Sequence, residues 1–330
     1  MTPAPPRAPV RRLSFLPAGG DRVASSRIRV YGLQGALAAM QVESRIGYWP
    51  DAEALVVQKR VTGEVLAAVR DFKGRGGLVL YDCDDLGKPL DYWAPPEALK
   101  EMLALADVVT TNTGPFRDAL LQHPGVPLVE IVPDVIDYGL QAPVRNDALA
   151  ASPLRILWFG NHTNLHLLGR YARALEMVPD CTVVICTSKD VDLSPFGRGP
   201  FAFFQWDLAG FPDLLRSCHL SFLPHDGGAA DRAKSNNRMI TSIGWGVPAV
   251  VSRTPEYEKL AHLAGLPESI FGSPEEVAGA IEFLRPQAAR SRYLDLAQPA
   301  VWGRHAPDVV ARRFCDVVAR HIERIEGVSR

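Results

Sequence analysis

The chain has 330 residues, 47 % hydrophobic and 22 % charged, with a formal net charge of -1. That length exceeds one ordinary α/β core and suffices for two domains, and the near-zero charge excludes the basic excess usual in nucleic-acid binders. No run reaches the ~18 to 20 apolar residues that a membrane-spanning helix needs.

In chain order, residues 1–10 are rich in Pro and Ala and read as a disordered arm, not a signal peptide. Residues 12–17 (RLSFLP) predict a strand, 18–20 a glycine turn and 21–40 a long helix with Ile28, Tyr31, Leu37 and Met40 on one face. Strands follow at 54–58, 77–82, 107–111 and 128–132, with helices at 61–72 and 95–105. Strands this apolar are buried on both faces, as in a parallel sheet. The alternation with helices predicts an open, doubly wound α/β sheet. Residues 133–153 break the rhythm with Pro, Gly, Asn and Asp and read as a linker.

The rhythm restarts with strands at 154–159, 182–187, 201–206, 220–223 and 247–252, and helices at 165–177, 211–217 and 233–245. A helix over 308–325 closes the chain. The cysteines, Cys83, Cys181, Cys186, Cys218 and Cys315, form no C-x-x-C pair and read as buried thiols of a reducing compartment. No G-x-S-x-G elbow, Walker A sequence or H-E-x-x-H element is present.

Two doubly wound domains bind ligands at the carboxyl ends of their strands, so residues that follow strands are the candidates. Lys234 and Arg238 stand one helical turn apart in the predicted 233–245 helix. Two cations at a helix N-terminus suit a diphosphate, and a solvated basic helix start is the plain alternative. Gly19 and Gly20 can let backbone amides approach a ligand, or simply make a turn. Asn161 and His162 can contact a ligand at the strand end or cap a helix. His225 and Asp226 precede two glycines, where Asp226 can accept hydrogen bonds from a ligand or make an Asp-Gly turn.

The run Lys234-Ser235-Asn236-Asn237-Arg238-Met239-Ile240-Thr241, followed by Gly246-Val247-Pro248-Ala249-Val250-Val251, resembles the Lys-Ser-x-x-Lys-x-x-Glu element and following strand of GT-B glycosyltransferases related to families four and one. The stretch from Ala24 through Arg27 to Val30 is similar to that group's first helix. Tyr81-Asp82-Cys83-Asp84-Asp85 resembles a Tyr-Asp-x-Asp-Asp element of some members. The resemblance implies two Rossmann-like doubly wound parallel-sheet domains facing a cleft. Residues 11–150 would form the acceptor side and 151–305 the nucleotide-sugar donor side, with the helix in 306–330 packing back toward the first domain.

It further implies a cytoplasmic, metal-independent and retaining hexosyltransferase with no cofactor beyond its nucleotide-diphosphate sugar substrate. The acceptor hydroxyl would belong to a glycan, a lipid-linked sugar or a protein, in surface polysaccharide biosynthesis or protein glycosylation, and a peripheral place at the inner membrane stays open. Lys234, Arg238 and Asp226 would act on the donor. Gly19, Gly20, Asn161, His162, His225, Ser235 and Thr241 would bind it, and Asp82, Asp84, Asp85 and Arg27 would face the acceptor. Thr241 stands where the group's ribose-binding glutamate falls. That departure keeps open a non-catalytic nucleotide- or partner-binding module, with a sugar-nucleotide epimerase as a third reading. Asp82, Asp84 and Asp85 could also be a metal-binding D-x-D element of the one-domain GT-A type, which the two-domain rhythm argues against.

Overall fold

The computed structural model describes residues 10–84, 95–146, 149, 153–193, 196 and 199–328. Among these, the strands form two separate six-stranded sheets in which every pairing is parallel. The first sheet holds β1 (Arg12–Leu16), β2 (Glu43–Ile46), β3 (Ala54–Gln58), β4 (Leu78–Asp82), β5 (Val108–Thr111) and β6 (Leu128–Ile131) in the order β2-β1-β3-β4-β5-β6. The second holds β7 (Leu154–Phe159), β8 (Cys181–Thr187), β9 (Phe201–Gln205), β10 (Leu220–Leu223), β11 (Ala249–Ser252) and β12 (Ile270–Phe271) in the order β12-β11-β10-β7-β8-β9.

Each order reverses once, between β1 and β3 in the first sheet and between β7 and β10 in the second. Neighbouring connections leave toward opposite faces at such a point and open a crevice at the strands' carboxyl ends. β3, β4, β5, β10 and β11 are buried along their whole length, as continuous apolar runs require. β2, with sequence ESRI, is largely exposed at the sheet edge, where charge discourages further pairing.

The chain divides into two compact units. The first contains residues 1–139, 233–235 and 304–330, and the second contains 140–232 and 236–303. The boundary falls at 139, not 150, because Asp134, Val135, Ile136 and Asp137 of the expected linker are buried in the first unit. Val10, placed in the expected arm, is also buried in that unit's core, while 1–9 lie outside the described residues.

In the first unit, the helix Pro307–Val328 covers one face of the sheet. Val310, Phe314 and Val318 pack with Phe15, Leu33 and Leu37, and the Phe15 and Phe314 rings stack at 5.9 Å. The expected single helix over 21–40 is instead a short helical start at Ala24–Ser26, a π-helical turn over Arg27–Tyr31 and the helix Gly32–Ala39. Such π-turns shift side-chain phase within a helix. A Cβ at Gly32 would lie 2.9 Å from the Arg27 carbonyl oxygen, so only glycine fits where the turn rejoins the helix.

Candidate functional site

The best-formed polar site of the second unit lies at its switch point, where β7 ends in Phe159-Gly160 and β10 runs into Pro224-His225. Arg238, in the first turn of the helix Asn237–Gly244, bridges the two strand ends. Its Nη1 donates to the Phe159 carbonyl at 3.2 Å and its Nη2 donates to His225 Nε2 at 2.9 Å. A guanidinium has no acceptor, so His225 Nε2 must accept and the imidazole proton sits on Nδ1. Asp231 Oδ1 lies 3.2 Å from that Nδ1, an electrostatic contact outside hydrogen-bond geometry, and Asp231 Oδ2 accepts from the Asp226 amide at 2.8 Å. The His225 amide donates to Ser252 Oγ at the end of β11 at 2.8 Å. The Tyr257 ring lies 5.4 Å from the His225 ring, and burial pushes its phenol up despite the nearby Arg238 charge. His225 and Asp231 are each 5 % exposed, whereas Arg238 is half-buried.

The other strand-end candidates make local turns. Asn161 Oδ1 accepts from the Thr163 amide at 3.0 Å and caps the turn over His162–Asn164. Asp226 Oδ1 accepts from the Gly228 amide at 3.0 Å, closing the Asp-Gly turn, and Arg170 lies 3.9 Å from its Oδ2. Thr241 is only 2 % exposed on the buried side of its helix.

Lys234 does not stand on the same helix as Arg238. One helix spans Ala229–Arg232 and the next begins at Asn237, so Lys234 falls in the connection between them. The expected helix over 233–245 is thus interrupted, and the one-turn spacing does not put the two cations on one helix face. The residues flanking Lys234 are anchored within the first unit. Thr113 Oγ1 donates to the Ala233 carbonyl at 2.9 Å, and Ser235 Oγ donates to Asp134 Oδ2 at 2.5 Å. These anchors stop a helix from propagating through the segment.

The carboxyl end of the first sheet holds a buried ionic network. Arg29 forks onto Asp82, with Nε to Oδ2 at 2.8 Å and Nη2 to Oδ1 at 2.6 Å, and its Nη1 donates to Asp134 Oδ1 at 2.8 Å. Burial alone would lower the Arg29 pKa, but Asp82 and Asp134 outweigh it and hold the group above its ordinary value. Thr110 Oγ1 also donates to Asp82 Oδ1 at 2.7 Å. Arg27 forks onto Asp137, both contacts at 2.8 Å, and lies 4.7 Å from the Tyr138 ring. Its guanidinium, which burial alone would lower, is likewise raised by Asp137. Lys59, held at φ +51, pairs with Asp84 at 2.5 Å.

Among the expected acceptor-side residues, Asp82, Asp84 and Arg27 therefore have ion-pair partners inside the unit, and Asp85 lies outside the described residues. At the switch point of this sheet, Gln58 Oε1 accepts from the Ala18 amide at 3.1 Å and from Ser26 Oγ at 2.8 Å. The Gly19 amide donates to Ser26 Oγ at 3.1 Å, and Gly20 has open space where a Cβ would be. Among the described residues, no group of three His, Cys, Asp or Glu side chains is placed to hold a metal ion. No described helix is long and apolar enough to cross a membrane.

No protein-family model matches the sequence, and no curated protein matches it. Solved structures do. Sucrose-phosphate synthase from Thermosynechococcus elongatus superposes with a TM-score of 0.66 at 12 % identity, covering 94 % of this chain and 98 % of that one. Anabaena HepE in complex with UDP and glucose gives 0.66 at 12 % identity, covering 94 % and 99 %. A Thermobaculum terrenum O-GlcNAc transferase mutant gives 0.61 at 13 % identity, covering 100 % and 70 %. The chain has the GT-B fold. At these identities the likeness speaks for architecture alone.

Sequence reasoning missed Asp231, Tyr257, Ser252, Lys59 and the Arg29 network. Asp231 carried one signal, as a second acid five residues after Asp226 in the run after β10. Arg29 carried none, because a basic residue in a helical run ordinarily faces solvent.

Proposed function

We propose that the chain is a glycosyltransferase that binds a nucleotide-diphosphate sugar with its diphosphate at the carboxyl end of the second sheet. The observation that carries this reading is Arg238 spanning the β7 and β10 ends. Phe159 and His225 fix two of its five N–H donors, and the others suit phosphate oxygens. The bound UDP of the GT-B neighbour HepE supports the substrate class. In the reaction, the bond from the sugar C1 to the β-phosphate oxygen breaks. A bond from C1 to an acceptor hydroxyl forms, and the hydroxyl proton leaves with the diphosphate. Negative charge grows on the departing phosphate, so Arg238 stabilises the transition state more than the ground state.

Neutralisation by side chains makes the enzyme metal-independent. A retaining hexosyltransferase acting in surface polysaccharide biosynthesis or protein glycosylation in the cytoplasm follows from the family resemblance. Arg238→Ala should weaken UDP binding about tenfold to a hundredfold, the span of ~1.5–3 kcal/mol for a hydrogen bond to a charged group. Turnover should fall about a hundredfold. Calorimetric titration with UDP, and transfer assays in excess EDTA, test this together. Unchanged UDP affinity in the variant would remove the site, and activity lost in EDTA and restored by Mn or Mg would remove metal independence. A second reading, a nucleotide-binding module without catalysis, is favoured by Thr241, a buried hydroxyl where the resemblance puts a ribose-binding glutamate. UDP binding without transfer or hydrolysis of any UDP-sugar would establish it.

A further inference from the structure

The chain of contacts from Asp231 through His225 to Arg238 lies wholly within the second unit. We infer that Asp231 and His225 are positioning residues that hold the Arg238 guanidinium ready for an anion, and that protonation of His225 releases it. The inference rests on the nucleotide-sugar reading above.

An arginine side chain loses considerable rotamer freedom when fixed, so a preformed anion site needs something to hold the guanidinium in place. Here the Phe159 carbonyl holds one end and His225 Nε2 the other. His225 can accept there only while neutral, with its proton on Nδ1. Asp231 Oδ1 lies 3.2 Å from that nitrogen, outside hydrogen-bond geometry, and the carboxylate is itself held by the Asp226 amide, so a fixed negative charge beside Nδ1 favours the proton there. The His225 backbone is tied to Ser252, and its ring packs on Tyr257, a phenol kept neutral by burial. The ionisable groups facing the imidazole are thus Asp231, Arg238 and Tyr257. The nearby Asp226 carboxylate is turned toward Gly228 and Arg170. Protonation would set an N–H of the imidazolium against an N–H of the guanidinium, two like charges with no acceptor between them. Arg238 would lose that anchor, and anion affinity would fall on acidification.

The test is calorimetric titration of the full chain with UDP and with inorganic pyrophosphate, at about pH 8 and about pH 5.5, on either side of the ordinary imidazole pKa of ~6.5. His225→Gln is the informative variant, because its Oε1 can accept from Arg238 but cannot take up a proton at these pH values. Wild-type affinity should fall on acidification by about tenfold more than that of His225→Gln, a ratio that cancels the titration of the ligand itself. His225→Ala and Asp231→Asn should weaken binding at pH 8 about tenfold, with melting temperature as a control for folding. His225→Gln serves alone should Asp231→Asn not fold. The same fall on acidification in wild type and His225→Gln would overturn the inference, as would tighter wild-type binding in acid, which would mean that the imidazolium itself grips phosphate. If Arg238→Ala weakens binding while the His225 and Asp231 variants do not, the inference alone fails. If Arg238→Ala also binds normally, the nucleotide-sugar reading fails and takes the inference with it.

Discussion

Asp82 separates two roles that a carboxylate after a strand can play. Its oxygens accept from Arg29 and Thr110, and its side chain is 6 % exposed. Removing one partner of a buried pair leaves the other charge uncompensated, at a cost of ~3–5 kcal/mol. Asp82→Ala leaves Arg29 with Asp134 as its remaining carboxylate, so it should lower the unfolding free energy by less, about 1.5–3 kcal/mol, in urea denaturation. A substrate-facing carboxylate would behave in the opposite way, losing activity with little change in stability. Arg29→Ala should cost the full ~3–5 kcal/mol, because it strands both Asp82 and Asp134. The two changes should not add, since they break one network.

At the scale of elements, the closing helix Pro307–Val328 is part of the first unit's core rather than an appendage. Its buried positions Val310, Phe314, Val317 and Val318 recur at helical spacing against β1 and the helix Gly32–Ala39. Phe314 is 4 % exposed and stacks on Phe15. Phe314→Ala should remove about 3–5 kcal/mol of stability, read from urea denaturation. A loss below about 1 kcal/mol would mean that the helix is only loosely docked. The helix Asn237–Gly244 ends in a different way. Gly246 follows it at φ +79, with the Val144 carbonyl oxygen 2.6 Å from where a Cβ would lie, so glycine alone permits that exit into β11.

Across the whole molecule, many acidic groups are buried in their neutral form. Burial pushes Cys186 and Cys315 up to about 12 and raises Tyr81, Tyr257 and Tyr293. These groups hold their protons in the folded chain at pH values where the unfolded chain has lost them. Stability should therefore be intact below the unfolded thiol value of ~8.5 and decline as pH rises above it, steeply once unfolded tyrosines ionise near ~10. Denaturant midpoints from about pH 7 to pH 11 would show this, and a flat profile would contradict it. By the same cause, Cys186 and Cys315 should resist alkylation at about pH 8 until the chain unfolds, because the thiolate is the reactive form. Rapid labelling of either in the folded chain would show that its burial is transient.

Apolar runs such as LRILWF, ALVVQ and GLVLYD determined that the strands are buried on both faces, and their alternation with helices that they are parallel, since helical crossovers cover both faces of such a sheet. The restart of the rhythm after residue 153 determined that there are two sheets. The edge strand β2 and the two-residue β12 were not legible, because an exposed or very short strand needs no apolar pattern and is defined by its neighbour. Arg238 at the head of its helix could be read from sequence, since a cation there has a local electrostatic meaning. Its partners could not. Phe159 meets Arg238 only because β10 lies beside β7, and strand order is a property of the sheet rather than of any segment. The interruption of the helix at Lys234 was equally hidden. It is imposed by Thr113 and Asp134, more than 100 residues away along the chain, whose hydrogen bonds to Ala233 and Ser235 replace those that a continuous helix would make.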